Sequence, residues 1–132
     1  MYILPLTQLN LFLNHVEHCY PLEASGLLLG HQWSQHTLLS FVATSSDHNT
    51  VCSFRIAKET IDTVEASLPN SETEICGCAH SHNFTRAYPS PVDSAATKGP
   101  CLLWLIYSVP RRQLCLFRWE GHAFKKKKLH VL

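Results

Sequence analysis

At 132 residues, with 45% hydrophobic and 16% charged side chains, the chain has the size and make-up of one soluble globular domain that buries its own core. Eleven basic residues against ten acidic ones leave a formal net charge of +1, which gives no electrostatic footprint for nucleic acid or a membrane surface. No stretch approaches the roughly 20 apolar residues of a membrane-spanning helix, and Met1-Tyr2-Ile3-Leu4-Pro5 lacks the basic and apolar regions of a signal peptide, so a cytoplasmic protein is expected.

In chain order, Thr7 is placed to cap a helix carrying Leu9, Phe12, Leu13 and Val16 at helical spacing, and Pro21 ends it. His15 and His18 lie about one turn apart on that helix. A shared metal is one reading; with no acidic neighbour beyond Glu17, a partly exposed pair is the plainer one. Leu22 to Gly30 reads as a strand whose apolar end is buried on both faces. Glu23 stands at its start, where a carboxylate is out of place unless it is paired or functional. Gly30 is expected to open a turn, Thr37 to Ser45 to form a second strand, and Ser45 to Thr50 a polar loop.

A short extended piece at Phe54-Arg55-Ile56 precedes a helix from Ala57 to Leu68, with Ile61, Val64 and Leu68 on one stripe and Pro69-Asn70 as its stop. Ile75 to His82 is the third strong strand. Ser90-Pro91-Val92-Asp93 has the composition of a helix start, and that helix is expected to run to about Lys98 and stop at Gly99-Pro100. Cys101 to Val109 is the most apolar run and predicts a central strand. Gln113 to Trp119 returns after a turn at Pro110-Arg111-Arg112, and Glu120-Gly121 turns the chain again into His122 to Leu132. Lys125 to Lys128 fit a protected sheet edge better than an acid-binding patch. The six cysteines, Cys19, Cys52, Cys76, Cys78, Cys101 and Cys115, form no CxxC pair and read as reduced thiols.

One stretch is hard to explain by folding alone. His80-Ser81-His82 ends a strand, and because strand side chains alternate, both imidazoles point the same way and can converge on one ion. Asp93 follows on a helix start, which is a rigid mount. Two imidazoles and a carboxylate, with a fourth position left to water, form the ligand set of a hydrolytic zinc, so His80, His82 and Asp93 are the candidate ligands.

The order Glu23 before Gly-Leu-Leu-Leu-Gly, then His80-Ser81-His82, then Ser90-Pro91-Val92-Asp93 resembles the JAMM (MPN+) metalloprotease family, of the small stand-alone prokaryotic type. Asn49 and Phe54 also stand where relatives carry an Asn-rich loop and an aromatic residue. The resemblance spans the whole chain as a single domain, 1–132. It implies an α/β fold with a mixed central β-sheet flanked by helices, similar to the cytidine-deaminase fold. It also implies one Zn2+ on His80, His82 and Asp93 with water as fourth ligand, Glu23 as general base and Ser90 as oxyanion donor.

The implied substrate is the extended C-terminal tail of a ubiquitin-like protein, of the sulfur-carrier kind in view of the compact chain. Arg86 and Tyr88 are candidate contacts to it. The family's proline after the second histidine is replaced by Asn83, which predicts a more mobile loop from Asn83 to Tyr88.

Three other readings exist. A zinc deaminase is excluded because the H-x-E and P-C-x-x-C signature is missing: Pro100-Cys101 has no second cysteine in place. A cysteine hydrolase on Cys78 and His80 requires same-face strand neighbours to orient a nucleophile against its base, which they do poorly. An inactive interaction scaffold of the same fold is the serious alternative, to be separated from the enzyme by metal content and by cleavage of a ubiquitin-like fusion.

Overall fold

A computed structural model describes residues 1–44, 49–50, 56–69, 71–90 and 102–132. Their elements in chain order are β1 (Tyr2–Leu4), α1 (Leu6–Cys19), β2 (Ser25–Trp33), β3 (His36–Thr44), α2 (Lys58–Ala66), β4 (Thr73–His82), β5 (Leu103–Ser108), β6 (Gln113–Trp119), β7 (Phe124–Lys127) and β8 (Leu129–Val131). The strands form one mixed sheet in the order β7-β6-β5-β4-β2-β3-β1-β8. Helices accompany this sheet as expected. The four described cysteines, Cys19, Cys76, Cys78 and Cys115, are free thiols.

Several boundaries differ from expectation for physical reasons. The first helix begins at Leu6 behind Pro5, whose carbonyl accepts from Gln8 and Leu9, so Thr7 lies in the first turn and caps nothing. β2 starts at Ser25, leaving Glu23 on the approach to the strand. It continues through Gly30, which sits in the ladder between Leu39 and Glu74, and the turn falls at Ser34, in the left-handed region with φ 57°. The expected helix after Ser90, with Asp93 in it, lies outside the described residues, as do Phe54 and the loop at 45–48.

The C-terminal segment divides. β7 pairs antiparallel with β6 at one edge, whereas β8 pairs parallel with β1 at the other. Only Lys128 separates them, and two Cα steps reach about 7.6 Å, so the two edges must lie side by side. The sheet is therefore curled nearly into a barrel, and Arg118 of β6 donates to Tyr2 Oη of β1 across the seam at 3.2 Å. The lysines of β7 occupy an edge strand, consistent with the edge reading.

Packing splits over the two faces of the sheet. Phe12 and Val16 of α1 bury against Leu28, Leu39, Phe41, Ala79, Leu105 and Leu116, with the Phe12 and Phe41 rings 5.0 Å apart. On the other face Cys78, Trp104, Ile106, Cys115 and Phe117 form a second cluster that includes Ala87. β4 lies in the middle, antiparallel to β2 and parallel to β5. Among the described residues no helix is long and apolar enough to cross a membrane.

Candidate metal centre

β4 carries the site at its C-terminal end. His80 and His82 both emerge on the face of Cys78, as the alternation requires, and their Nε2 atoms stand 3.1 Å apart. Glu23 joins them: its carboxylate and the two imidazoles offer ligand atoms that all lie within 4.8 Å of one another. His80 is 0% exposed, Glu23 3% and His82 6%. Burying a carboxylate among imidazoles is costly unless a proton or a cation balances its charge.

The tautomer of His82 follows from its second nitrogen. Nδ1 lies 2.9 Å from the carbonyl oxygen of Arg86, which can only accept, so Nδ1 carries a proton, and in the neutral ring the lone pair is on Nε2, facing inward. His80 is set by packing: the Trp104 ring meets it edge-on at 90° and 5.3 Å, Phe124 meets Trp104 edge-on, and Trp119 in turn meets Phe124. A neutral imidazole lone pair aimed at a second imidazole and a carboxylate is the donor set of a borderline divalent ion such as zinc, and these residues fit it.

Glu23 reaches this place by a different route. The β2–β4 ladder ends at Ser25 and His80, so Glu23 and Ala24 lie beyond its last rung. Ser81, on the opposite face from the histidines and fully buried, accepts the Ala24 N–H on Oγ at 2.9 Å, while its own N–H donates to the Ala24 carbonyl at 3.1 Å. The Glu23 N–H donates to the Thr50 carbonyl at 2.7 Å. The Asn49 amide donates to the Glu23 carbonyl at 2.8 Å and to Ser25 Oγ at 3.0 Å.

Asn83 and the segment after it depart from expectation. Asn83 is buried and donates to the Pro21 carbonyl at 2.6 Å, so the residue standing in for proline ties the chain down instead of loosening it. Ser108 Oγ donates to the Thr85 carbonyl at 2.6 Å, and Ala87 is fully buried. Arg86 and Tyr88, the candidate substrate contacts, are exposed and stacked on each other, with the guanidinium 4.6 Å from the ring centroid. Ser90 is half-buried at the last described position of this segment, and Asp93 lies outside the described residues.

His15 has a structural task. Its Nε2 lies 3.0 Å from the Ser25 carbonyl and 3.1 Å from that of Thr44. Both oxygens only accept, so that nitrogen is protonated and cannot be a ligand there. Sequence reasoning missed Ser81, Trp104 and the Arg86 carbonyl. Ser81 alone left a signal, since a residue between two same-face histidines must face the other way.

No curated protein matches this chain significantly. Solved structures resemble it along its whole length. A protein of Desulfitobacterium hafniense has a TM-score of 0.87 at 22% identity, with 100% of this chain and 93% of that one covered. A JAB1/MPN domain protein from Archaeoglobus fulgidus has a TM-score of 0.64 at 18% identity, covering 100% and 99%. A protein of Salinibacter ruber has a TM-score of 0.68 at 18% identity, covering 100% and 92%. At these identities the likeness concerns the fold alone. The family model for prokaryotic homologs of the JAB domain matches residues 7–120, and the chain therefore belongs to the prokaryotic JAB-domain family.

Proposed function

We propose that the chain, as a single domain, is a JAMM-type zinc metallopeptidase that hydrolyses a peptide or isopeptide bond at the C-terminal tail of a ubiquitin-like protein. The observation that carries this reading is the buried carboxylate of Glu23 among the converged nitrogens of His80 and His82, in a family that includes hydrolases. His80 and His82 would hold the ion together with Asp93, which the H-x-H…S-x-x-D spacing nominates. A zinc ion bound there supplies Lewis acidity, polarising a carbonyl and acidifying water.

The remaining work falls to side chains. Glu23 takes the proton of the attacking water and returns it to the leaving amine nitrogen, the task of a general base that becomes a general acid. Burial keeps bulk water from competing for that carboxylate. Ser90 donates to the developing oxyanion. The exposed Arg86–Tyr88 pair flanks the histidine strand and offers a cationic and aromatic surface to an extended tail.

The test is a ubiquitin-like protein ending in Gly-Gly fused to a reporter, incubated with zinc-loaded wild type and Glu23→Gln. Both proteins should hold one zinc per chain in excess metal, and the variant should lose on the order of a hundredfold or more in cleavage rate. Equal rates would overturn the role of Glu23. A zinc-loaded wild type that cleaves no ubiquitin-like fusion would leave the interaction scaffold as the better reading.

A further inference from the structure

Glu23 lies just before β2 and His82 ends β4, at the point where those strands stop pairing. No ladder rung fixes their separation there; the Ala24–Ser81 bonds hold the nearer residues, and a side chain reaches the segment before Glu23. Asn83 follows His82 directly, and Pro21 precedes Glu23 by two residues, so the bond from Asn83 Nδ2 to the Pro21 carbonyl joins the two halves of the metal centre. At 2.6 Å it is short, and at 5% exposure of Asn83 no bulk water replaces it. The amide orientation follows from the partner: the Pro21 carbonyl only accepts, so the nitrogen must face it.

The flanking side chains pack weakly, and the main chain is held by bonds from Tyr20 to Val16 and from Leu22 to Cys19. Tyr20 is 51% exposed and Leu22 is 44% exposed, so little packing opposes a shift of Pro21. The main chain of Glu23 keeps its bonds to Thr50 and Asn49 if the tether is cut. Cutting the tether therefore leaves the segment folded, and its effect falls on how Pro21 and Leu22 lead into Glu23. Metal and catalytic groups lose function when their supporting shell lets them move by about half an ångström.

We infer that Asn83 is a positioning residue: through Pro21 it sets the distance of the Glu23 carboxylate from the His80–His82 pair. The inference rests on the metal-centre reading above. Hydrolysis would not reveal it cleanly, because any structural damage slows an enzyme. Coupling to Glu23 does, since a residue that acts only through Glu23 has nothing to act on once that carboxylate is gone.

Zinc affinity is to be measured by chelator competition on the full chain as wild type, Asn83→Ala, Glu23→Gln and the double variant. Asn83→Ala and Glu23→Gln should each bind zinc about tenfold more weakly, as removal of an outer-shell partner usually does. The double variant should be no weaker than Glu23→Gln. Additive losses would mark Asn83 as merely structural and overturn the inference, as would wild-type affinity in Asn83→Ala.

Should Asn83→Ala fail to fold, Asn83→Ser carries the same comparison, because its hydroxyl is too short to reach Pro21. A wild type that binds no zinc defeats the metal-centre reading itself, and the inference with it. A wild type holding one zinc alongside additive variants defeats the inference alone.

Discussion

Replacing Ser81 by alanine removes one oxygen from the space behind the two histidines and leaves the imidazoles untouched. The Ala24 N–H, which donates to Ser81 Oγ at 2.9 Å, loses its acceptor. Ser81 and Ala24 are both 0% exposed, so no water can take the place of the hydroxyl without opening the strand. A buried donor left without a partner costs about 1–3 kcal/mol. The bond from the Ser81 N–H to the Ala24 carbonyl survives, which puts the expected loss near the middle of that range, about 2 kcal/mol. For a domain of this length that corresponds to a fall of roughly 7 °C in melting temperature.

The assay is thermal and urea unfolding of metal-free Ser81→Ala beside the wild type, with amide exchange followed at Ala24. Exchange there should accelerate, while the protection of Leu28, in the middle of β2, falls only as far as global stability does. A loss below about 0.5 kcal/mol, the ordinary range of a neutral substitution, would refute the clamp.

Two further substitutions separate the frame from the site. At Gly77, where β4 runs beside β5, an added Cβ would fall on the main-chain carbonyl oxygen of Leu103 and lie 2.7 Å from Leu103 Cβ. Backbone cannot swing aside as a side chain can, so Gly77→Ala should cost about 3 kcal/mol, the upper end of ordinary overpacking, read as a fall in urea midpoint; an unchanged midpoint would contradict the close approach of the two strands. His15→Leu removes the donor shared by the Ser25 and Thr44 carbonyls and should lower stability by about 1–2 kcal/mol. Its zinc content should stay at the wild-type value, and loss of zinc would restore a metal role for His15.

What the sequence revealed and what it concealed divide along one physical line. The pairing of His80 with His82 was legible because alternation along a strand is a property of the backbone, independent of neighbours. Glu23 was visible as a misfit, a carboxylate where apolar residues belonged. The start of β2 was misplaced because Leu22 and Ala24 look like strand residues, while the rung that ends the ladder is set by β4, which local sequence does not contain.

The separation of β7 from β8 was hidden for a similar reason. Nothing in the run Phe124 to Val131 announces that Lys128 crosses a seam; the curl of the whole sheet decides it. Trp104 looked like one more core residue in an apolar run, although it also fixes the His80 ring. The Arg86 carbonyl leaves no trace at all, since every residue carries one.

The site stands where it does because β4 is held differently on its two sides. Toward β5 the parallel register continues through His80–Ile106, Ser81–Tyr107 and His82–Ser108, and the Val109 N–H extends it by donating to the His82 carbonyl at 2.9 Å. Parallel strands in α/β sheets commonly present ligands at their carboxyl ends, where loops diverge, and these histidines stand at that end of β4 and β5. Toward β2 the paired register stops at His80; beyond it one main-chain bond, from the Ser81 N–H to the Ala24 carbonyl, is joined by side-chain bonds of Ser81 with Ala24 and of Asn83 with Pro21.

Main-chain ladders are cooperative and insensitive to residue type, whereas a side-chain bond disappears with one substitution. The histidine pair is therefore held by a full register, whereas Glu23 is held by fewer bonds, the main-chain ones to Thr50 and, through Ala24, to Ser81 among them. Substitutions at Ser81 or Asn83 remove only the side-chain part of that hold and leave the two imidazoles where β5 fixes them.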